Sequence, residues 1–335
     1  MSAHANAAGP QASAVPLVRA RGLSKAFGAS GGLFAKAPKP VRAVDDVSLD
    51  IEQGEVLGVV GESGSGKSTL GRLLLRLIEP TAGTLEFAGE NLSAMPDGAL
   101  RHFRRNMQMI FQDPFASLNP RMTIGDALVE PLRLHRGLHG TAARDAAAAL
   151  LTQVGLTAEH LHRYPRAFSG GQRQRIAIAR ALASQPKFIV ADEPVSALDV
   201  SVQADVINLL QDLQQSFGLS LLFISHDLSV VEVIADRVLV LYLGRVMEMA
   251  PTATLYAHPA HPYTVALMQA APGRHRGGTR LELAGEIPSP SNPPSGCVFR
   301  TRCPFAIGAC AETRPALREK APGHFKACIR DDLAF

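Results

Sequence analysis

The feature that most constrains this chain is a five-residue apolar run, Val56–Val60, that leads directly into Gly61-Glu62-Ser63-Gly64-Ser65-Gly66-Lys67-Ser68-Thr69. A short run bounded by glycine and polar residues reads as a buried strand. The segment after it fits G-x-x-x-x-G-K-[ST], a pattern that works only between a strand and a helix, so a helix is expected from near Ser68. Gly61, Gly64 and Gly66 let successive backbone N–H groups curl around phosphate oxygens, and the helix N-terminus adds the positive end of its dipole. Lys67 is then placed to reach the β- and γ-phosphates, and the Ser68 hydroxyl to ligate Mg²⁺.

Other apolar runs recur along the chain: Phe188–Ala191, Leu221–Ile224 and Val238–Leu241. They alternate with helix-length amphipathic stretches, the pattern of a mostly parallel α/β sheet. The interval from Leu70 to Lys187 is dominated by helical spacing, as in Ala143–Val154, and reads as a helical subdomain inserted into the sheet domain. The strand at Phe188 delivers two acids at its C-terminal end, where open α/β sheets bind ligands. Asp192 is suited to the Mg²⁺ shell and Glu193 to polarising an attacking water. A second glycine loop, Phe168-Ser169-Gly170-Gly171-Gln172, opens another helix. It makes a second phosphate-binding N-terminus, and one nucleotide needs only one such loop. The second implies a nucleotide shared between two ATPase domains.

With these residues together, the chain resembles an ABC-transporter ATPase, with Phe168 to Gln172 standing where the family carries LSGGQ. The resemblance implies further roles, in order along the chain. Gln112 matches the glutamine loop that senses Mg²⁺ and water and faces a membrane subunit. Ser196, Ala197, Leu198 and Asp199 match the loop that crosses the dimer interface, and His226 matches the switch histidine that contacts the γ-phosphate. Phe27 is the expected adenine platform, with Phe34 as its competitor. The implied fold is α/β, a P-loop ABC-type nucleotide-binding domain with a mixed sheet core and an inserted helical subdomain at about 112–170. The cassette is expected over 17–271, after a disordered leader at 1–16 that lacks the features of a secretory signal.

Finer resemblances point to the ATPase subunits of bacterial oligopeptide/dipeptide importers, in QDPFASLNPRMTIGDAL, DEPVSALDVSVQA, HPAHPYTVALMQAAP and the tail GEIPSPSNPPSGCVFRTRCPFAIGAC. The insert between Phe27 and Val44 resembles the second, F-type ATPase subunit of such systems. This implies a related but non-identical ATPase partner, two transmembrane permease subunits and an extracytoplasmic peptide-binding protein that supplies cargo. It also implies a peripheral place on the cytoplasmic face of the inner membrane. Nickel, glutathione or oligosaccharide cargo is the alternative. A nucleic-acid-associated ABC ATPase would carry long coiled coils, zinc-finger insertions or two cassettes in one chain, and the sequence has none; no nucleic-acid partner is expected.

Pro/Gly/Ser-rich segments, charge and cysteine placement mark the tail as a separate region, a small irregular Cys-bearing extension at 272–335. The net charge is +4, yet residues 273–330 hold ten Lys/Arg against four Asp/Glu, so the excess is confined there. All four cysteines, Cys297, Cys303, Cys310 and Cys328, fall in the last 39 residues, with spacing C-x5-C-x6-C-x17-C. Members of this importer family carry a [4Fe–4S] cluster in the extension, and four thiolates match its ligand number. A four-cysteine Zn²⁺ site is the competitor, although the paired knuckles usual for zinc are missing. Arg300, Arg302 and Lys326 are expected to offset the charge of such a site or to lean on anionic lipid. No window holds the 18 apolar residues needed to cross a bilayer.

Overall fold

The computed structural model of the chain describes residues 15–28, 39–270 and 285–335. The competing platform Phe34, most of the expected leader and the Pro272 linker lie outside them. Two sheets organise the molecule. An antiparallel sheet is formed by β1 (Val18–Phe27), β2 (Val41–Ile51), β4 (Ala82–Phe87) and β5 (Glu90–Asn91), in the order β2-β1-β4-β5. The larger sheet holds β3 (Val56–Val60), β6 (Met107–Ile110), β7 (Phe188–Asp192), β8 (Ser220–Ile224), β9 (Arg237–Tyr242), β10 (Arg245–Pro251), β11 (Arg318–Ala321) and β12 (His324–Lys326). Its order is β11-β12-β10-β9-β3-β8-β7-β6. Pairing is parallel from β6 through β7, β8 and β3 to β9, and antiparallel beyond.

The four apolar runs became central strands because both faces of this sheet are covered, so neither side of the pleat needs polar residues. Alternation sends Leu57, Val59, Phe188, Val190, Leu222 and Ile224 to one core and Val56, Val60, Ile189, Ala191, Leu221 and Phe223 to the other. The first core lies beneath the antiparallel sheet and α1 (Lys67–Leu74), whose Leu70, Leu73 and Leu74 are fully buried.

The second core lies under the helices. After α2 (Asp97–Phe103) and β6 come α3 (Pro114–Ser117), α4 (Ile124–Arg136), α5 (Gly140–Gln153) and α6 (Gly170–Leu182), all before β7. Thr123 caps α4 by accepting from the Asp126 N–H at 3.1 Å, and Gly137 ends it in the left-handed region. The interval read as helical from Leu70 thus also contains β4, β5 and β6. Their apolar content is interrupted by glycine and polar residues, and pairing with β1 and β7, not local pattern, makes them strands. The chain continues through α7 (Val200–Phe217), α8 (Leu228–Ile234), α9 (Thr252–Ala257) and α10 (Pro262–Ala270).

The C-terminal extension, expected to be irregular, in fact lengthens the main sheet. β12 pairs with β10 through Glu248 with Lys326 and Met249 with Phe325, and β11 adds the outermost strand. The joint is polar and buried. The fully buried Glu248 carboxylate accepts the N–H groups of Ala260 and His261 at 2.7 and 2.9 Å and meets His324 Nε2 at 2.7 Å. Such a group is tolerable inside only because its oxygens are occupied. Burial holds the His261 imidazole down at about 4, so it is neutral at pH 7. Val298 and Phe299 of the extension join the helix-side core.

Candidate nucleotide site

β3 ends where the glycine loop begins, and α1 starts at Lys67 with Gly66 at its N-cap. Two glycines are required by their surroundings. Gly61 (φ 155°) would place a Cβ 2.1 Å from the Leu241 carbonyl oxygen, and Gly66 (φ 104°) one 2.1 Å from that of Ala43. Neighbouring strands therefore press on the loop, which leaves its curl no room for a side chain.

The loop opens on a cleft of about 390 Å³ whose lining includes Ser63, Gly64, Gly66, Lys67, Ser68, Thr69, Gln112, Glu193 and His226. Lys67 is buried, with Nζ donating to the carbonyls of Gly61 at 2.7 Å and Glu62 at 3.0 Å. Burial lowers its pKa, against the opposing pull of Glu193, Asp192 and Glu62. Ser68 Oγ donates to Asp192 Oδ1 at 2.8 Å. Burial raises the Asp192 pKa, and the bond from Ser68 opposes that rise. A hydroxyl and a carboxylate meeting at hydrogen-bond distance beside the loop suit the all-oxygen shell that Mg²⁺ prefers.

Glu193 follows β7 in a left-handed conformation (φ 46°) unusual for a side chain of its size, held by its N–H donating to Ile224 O at 3.0 Å. That turn directs its carboxylate at two partners: Gln112 Nε2 donates to Oε2 at 2.9 Å, and His226 Nδ1 lies 3.3 Å from the same oxygen. Three residues expected in one site thus meet at one atom. The segment from Ser196 to Asp199 runs on from Glu193, with the Ser196 hydroxyl donating to the Glu193 carbonyl at 3.2 Å and Asp199 at the N-cap position of α7.

Ser169 caps α6 in a reciprocal box with Gln172: its hydroxyl accepts the Gln172 N–H at 3.3 Å, and its own N–H donates to Gln172 Oε1 at 3.1 Å. The loop does not line the cleft formed by its own chain. Gly171 is also a packing residue, since a Cβ there would stand 2.4 Å from Val202 Cγ1, and the Gly170 position closes on Leu198 at 3.4 Å.

Glu62 does not face the cleft with the rest of its loop: its carboxylate is held by Arg302 at 2.6 and 3.0 Å, and its N–H donates to Tyr263 Oη at 2.9 Å. Phe27 ends β1 partly exposed, with Lys25 Nζ 5.2 Å from its ring, while the cleft wall nearby is made by Val41, Ala43 and Pro290. The Arg300 side chain binds the Ser295 carbonyl and hydroxyl, and that of Arg302 binds the Glu62 carboxylate. Lys326 lowers the Cys328 pKa against the rise that burial causes. Lastly, no group of three or more His, Cys, Asp or Glu among the described residues is arranged to hold a metal ion, for Zn²⁺ and [4Fe–4S] alike. The fold does gather the cysteines. The Cys297 N–H donates to Cys310 O at 2.8 Å, and burial, reinforced by the other three thiols, pushes Cys303 up to about 11.

A phosphate loop, an acid-bearing strand end and a helical insertion on a mixed sheet define an ATP-binding cassette of the P-loop ATPase class. Residues 44–196 match the ABC transporter family, and residues 247–310 match the oligopeptide/dipeptide transporter C-terminal region. The chain is 58% identical over 321 residues to a putative peptide import ATP-binding protein of Brucella ovis, covering 95% of this chain and 99% of that one. It is 51% identical over 317 residues to the oligopeptide transport ATP-binding protein AppF of Bacillus subtilis, covering 93% and 96%. A dimeric ATP-binding cassette solved in a post-hydrolysis state with ADP and Pi superposes with a TM-score of 0.63 at 30% identity, over 70% of this chain and 98% of that one. The chain belongs to the ABC transporter ATP-binding family, in its oligopeptide/dipeptide branch.

Proposed function

We propose that this chain is the ATP-hydrolysing subunit that powers import of di- or oligopeptides through separate membrane permease subunits. The observation that carries the reading is the meeting of Gln112 and His226 on one oxygen of Glu193, beside Lys67 and the Ser68–Asp192 pair. In this reading the loop from Gly61 to Thr69, including Ser63, Ser65 and Thr69, cradles the phosphates, and Phe27 lies at the base end. Ser68, Gln112 and Asp192 hold Mg²⁺, which when bound neutralises phosphate charge. Glu193 orients water toward the γ-phosphate and takes up its proton, while His226 and Gln112 fix the carboxylate.

The Ser169–Gln172 loop is intact but away from its own chain's cleft, which supports two cassettes closing head-to-tail with Ser196–Asp199 at the interface. We assign the second cassette to a homologous, non-identical ATPase. Membership of the family implies permease partners, and the extracytoplasmic peptide-binding protein acts through them. No helix among the described residues is long and apolar enough to cross a membrane, so the permeases would hold this chain at the cytoplasmic face of the inner membrane. The cassette is assigned to 17–271, with the helical subdomain at about 112–170 and the extension at 272–335.

The test of cargo is reconstitution of the complete transporter in proteoliposomes. ATPase activity is expected to rise several-fold with peptide-loaded binding protein; stimulation by nickel-, glutathione- or oligosaccharide-loaded binding protein instead would replace the peptide assignment. For the extension we propose a [4Fe–4S] cluster on Cys297, Cys303, Cys310 and Cys328. Four free cysteines carried by one short extension, with the Cys297 N–H donating to Cys310 O at 2.8 Å, support it. Anaerobically purified protein should carry about four iron and four sulfide per chain; absence of both would remove the assignment.

A further inference from the structure

The extension reaches the phosphate loop at Glu62, and this contact lies outside every role assigned so far. Glu62 is the second residue of the loop and is held on three sides. Its N–H donates to Tyr263 Oη at 2.9 Å, its carbonyl accepts Lys67 Nζ at 3.0 Å, and its carboxylate takes both terminal nitrogens of Arg302, at 2.6 and 3.0 Å. Two parallel N–H···O⁻ bonds fix direction as well as distance, which a single ammonium contact would not.

Arg302 is built in. Its side chain is 5% exposed, and its guanidinium carbon stands 5.8 Å from the centre of the Tyr242 ring. Tyr242 in turn packs edge to face with Tyr263 and Phe299, with ring centres 4.8 and 5.4 Å apart, and Tyr263 and Phe299 lie tilted at 5.2 Å. Two of these rings come from the cassette, while Phe299 and Arg302 come from the extension. A separate part of the extension lines the cleft itself: Pro290 stands there beside Val41 and Ala43, and its carbonyl accepts the Arg42 N–H at 3.4 Å.

We propose that Arg302 is a positioning residue of the ATP site, gripping Glu62 so that the phosphate loop keeps the curl that receives the nucleotide. The extension is then a working wall of that site. Two physical consequences follow from the pairing. Arg302 fixes the loop from beneath, so less of the ATP binding energy goes into ordering it. It also neutralises a carboxylate carried by the very loop that must receive a polyanion; left unpaired, that charge would repel the phosphates through a partly buried, low-dielectric path. The inference rests on ATP binding at Gly61–Thr69. Failure of that underlying reading would show differently, as a wild-type transporter that neither binds nor hydrolyses ATP.

The experiment is steady-state ATP hydrolysis by the complete transporter carrying Arg302→Ala, Arg302→Lys, Glu62→Gln or Arg302→Ala with Glu62→Gln. Arg302→Ala is expected to raise KM for ATP about tenfold with kcat changed by less than about threefold, the split that marks lost ground-state binding. Arg302→Lys should restore part of the loss, because charge returns without the second bond. Adding Glu62→Gln to Arg302→Ala should bring KM back toward wild type, because no uncompensated carboxylate is left. A contact that only fastens the extension would lower Tm and leave KM unmoved; that result overturns the proposal. Where Arg302→Ala does not assemble, Arg302→Lys and Glu62→Gln carry the test. Each is expected to raise KM about threefold, and wild-type KM in both would overturn the proposal equally.

Discussion

Exchanging Glu193 for Gln is expected to lower kcat for ATP hydrolysis by about 10²- to 10⁴-fold, the range for loss of a positioned general base, while ATP remains bound. The amide has the carboxylate's shape and keeps an oxygen for the Gln112 N–H that now reaches Oε2 at 2.9 Å. The hydrogen bonds of Lys67 and of the Ser68–Asp192 pair, proposed to meet the nucleotide elsewhere, are left in place. Lost is the capacity to accept a proton from the attacking water. Bound ATP is therefore expected to accumulate, and the head-to-tail assembly of two cassettes to outlive that of the wild type. Single-turnover hydrolysis with nucleotide binding read in parallel is the measurement. Hydrolysis within a few-fold of wild type would move the catalytic role away from Glu193.

Gly66→Ala should be, with Gly61→Ala, among the most damaging single methyl additions in the loop. Its Cβ would stand 2.1 Å from the Ala43 carbonyl oxygen on β2, and backbone of a paired strand has no rotamer by which to withdraw. A positive φ of 104° adds the usual side-chain penalty of about 1–2 kcal/mol. Gly64 separates the two effects: it also has positive φ, at 77°, but nothing lies within 4 Å of its Cβ position. Gly64→Ala should therefore cost only backbone strain, about tenfold in ATP affinity, and Gly66→Ala at least about a hundredfold, with each tenfold step worth about 1.4 kcal/mol. Binding of a non-hydrolysable ATP analogue to folded variants decides it. Equal losses at the two positions would show that β2 yields and that conformation alone sets the requirement.

How much of this was readable beforehand follows from burial. Val56–Val60 was legible to the residue because a strand covered on both faces has nowhere to place a polar side chain. β7, β8 and β9 were legible for the same reason, to within a residue at each end. β2, with VRAVDDVSLDI, mixes charge into its length, and β12 is only His-Phe-Lys; pairing with β1 makes the first a strand, and pairing with the distant β10 the second. Within the site, Ser63, Gly64, Gly66, Lys67, Ser68, Thr69, Gln112, Glu193 and His226 line one cleft, with Asp192 bonded to Ser68, while Ser169–Gln172 lie away from it. Glu62 departed because its carboxylate is taken by Arg302, a residue of the extension that no local pattern announces.

The sequence by itself determined the phosphate loop, the acid-bearing strand end, the second glycine loop and the order in which they occur, because each is local chemistry fixed within a few residues. Only the tertiary structure decided that Gln112 and His226 would meet at one oxygen of Glu193. It alone closed strand backbones on Gly61 and Gly66, and it alone brought Arg302 across 240 positions to Glu62. Spacing along a chain records which groups are available, whereas the pairing of β10 with β12 and the packing around Phe299 set which of them touch.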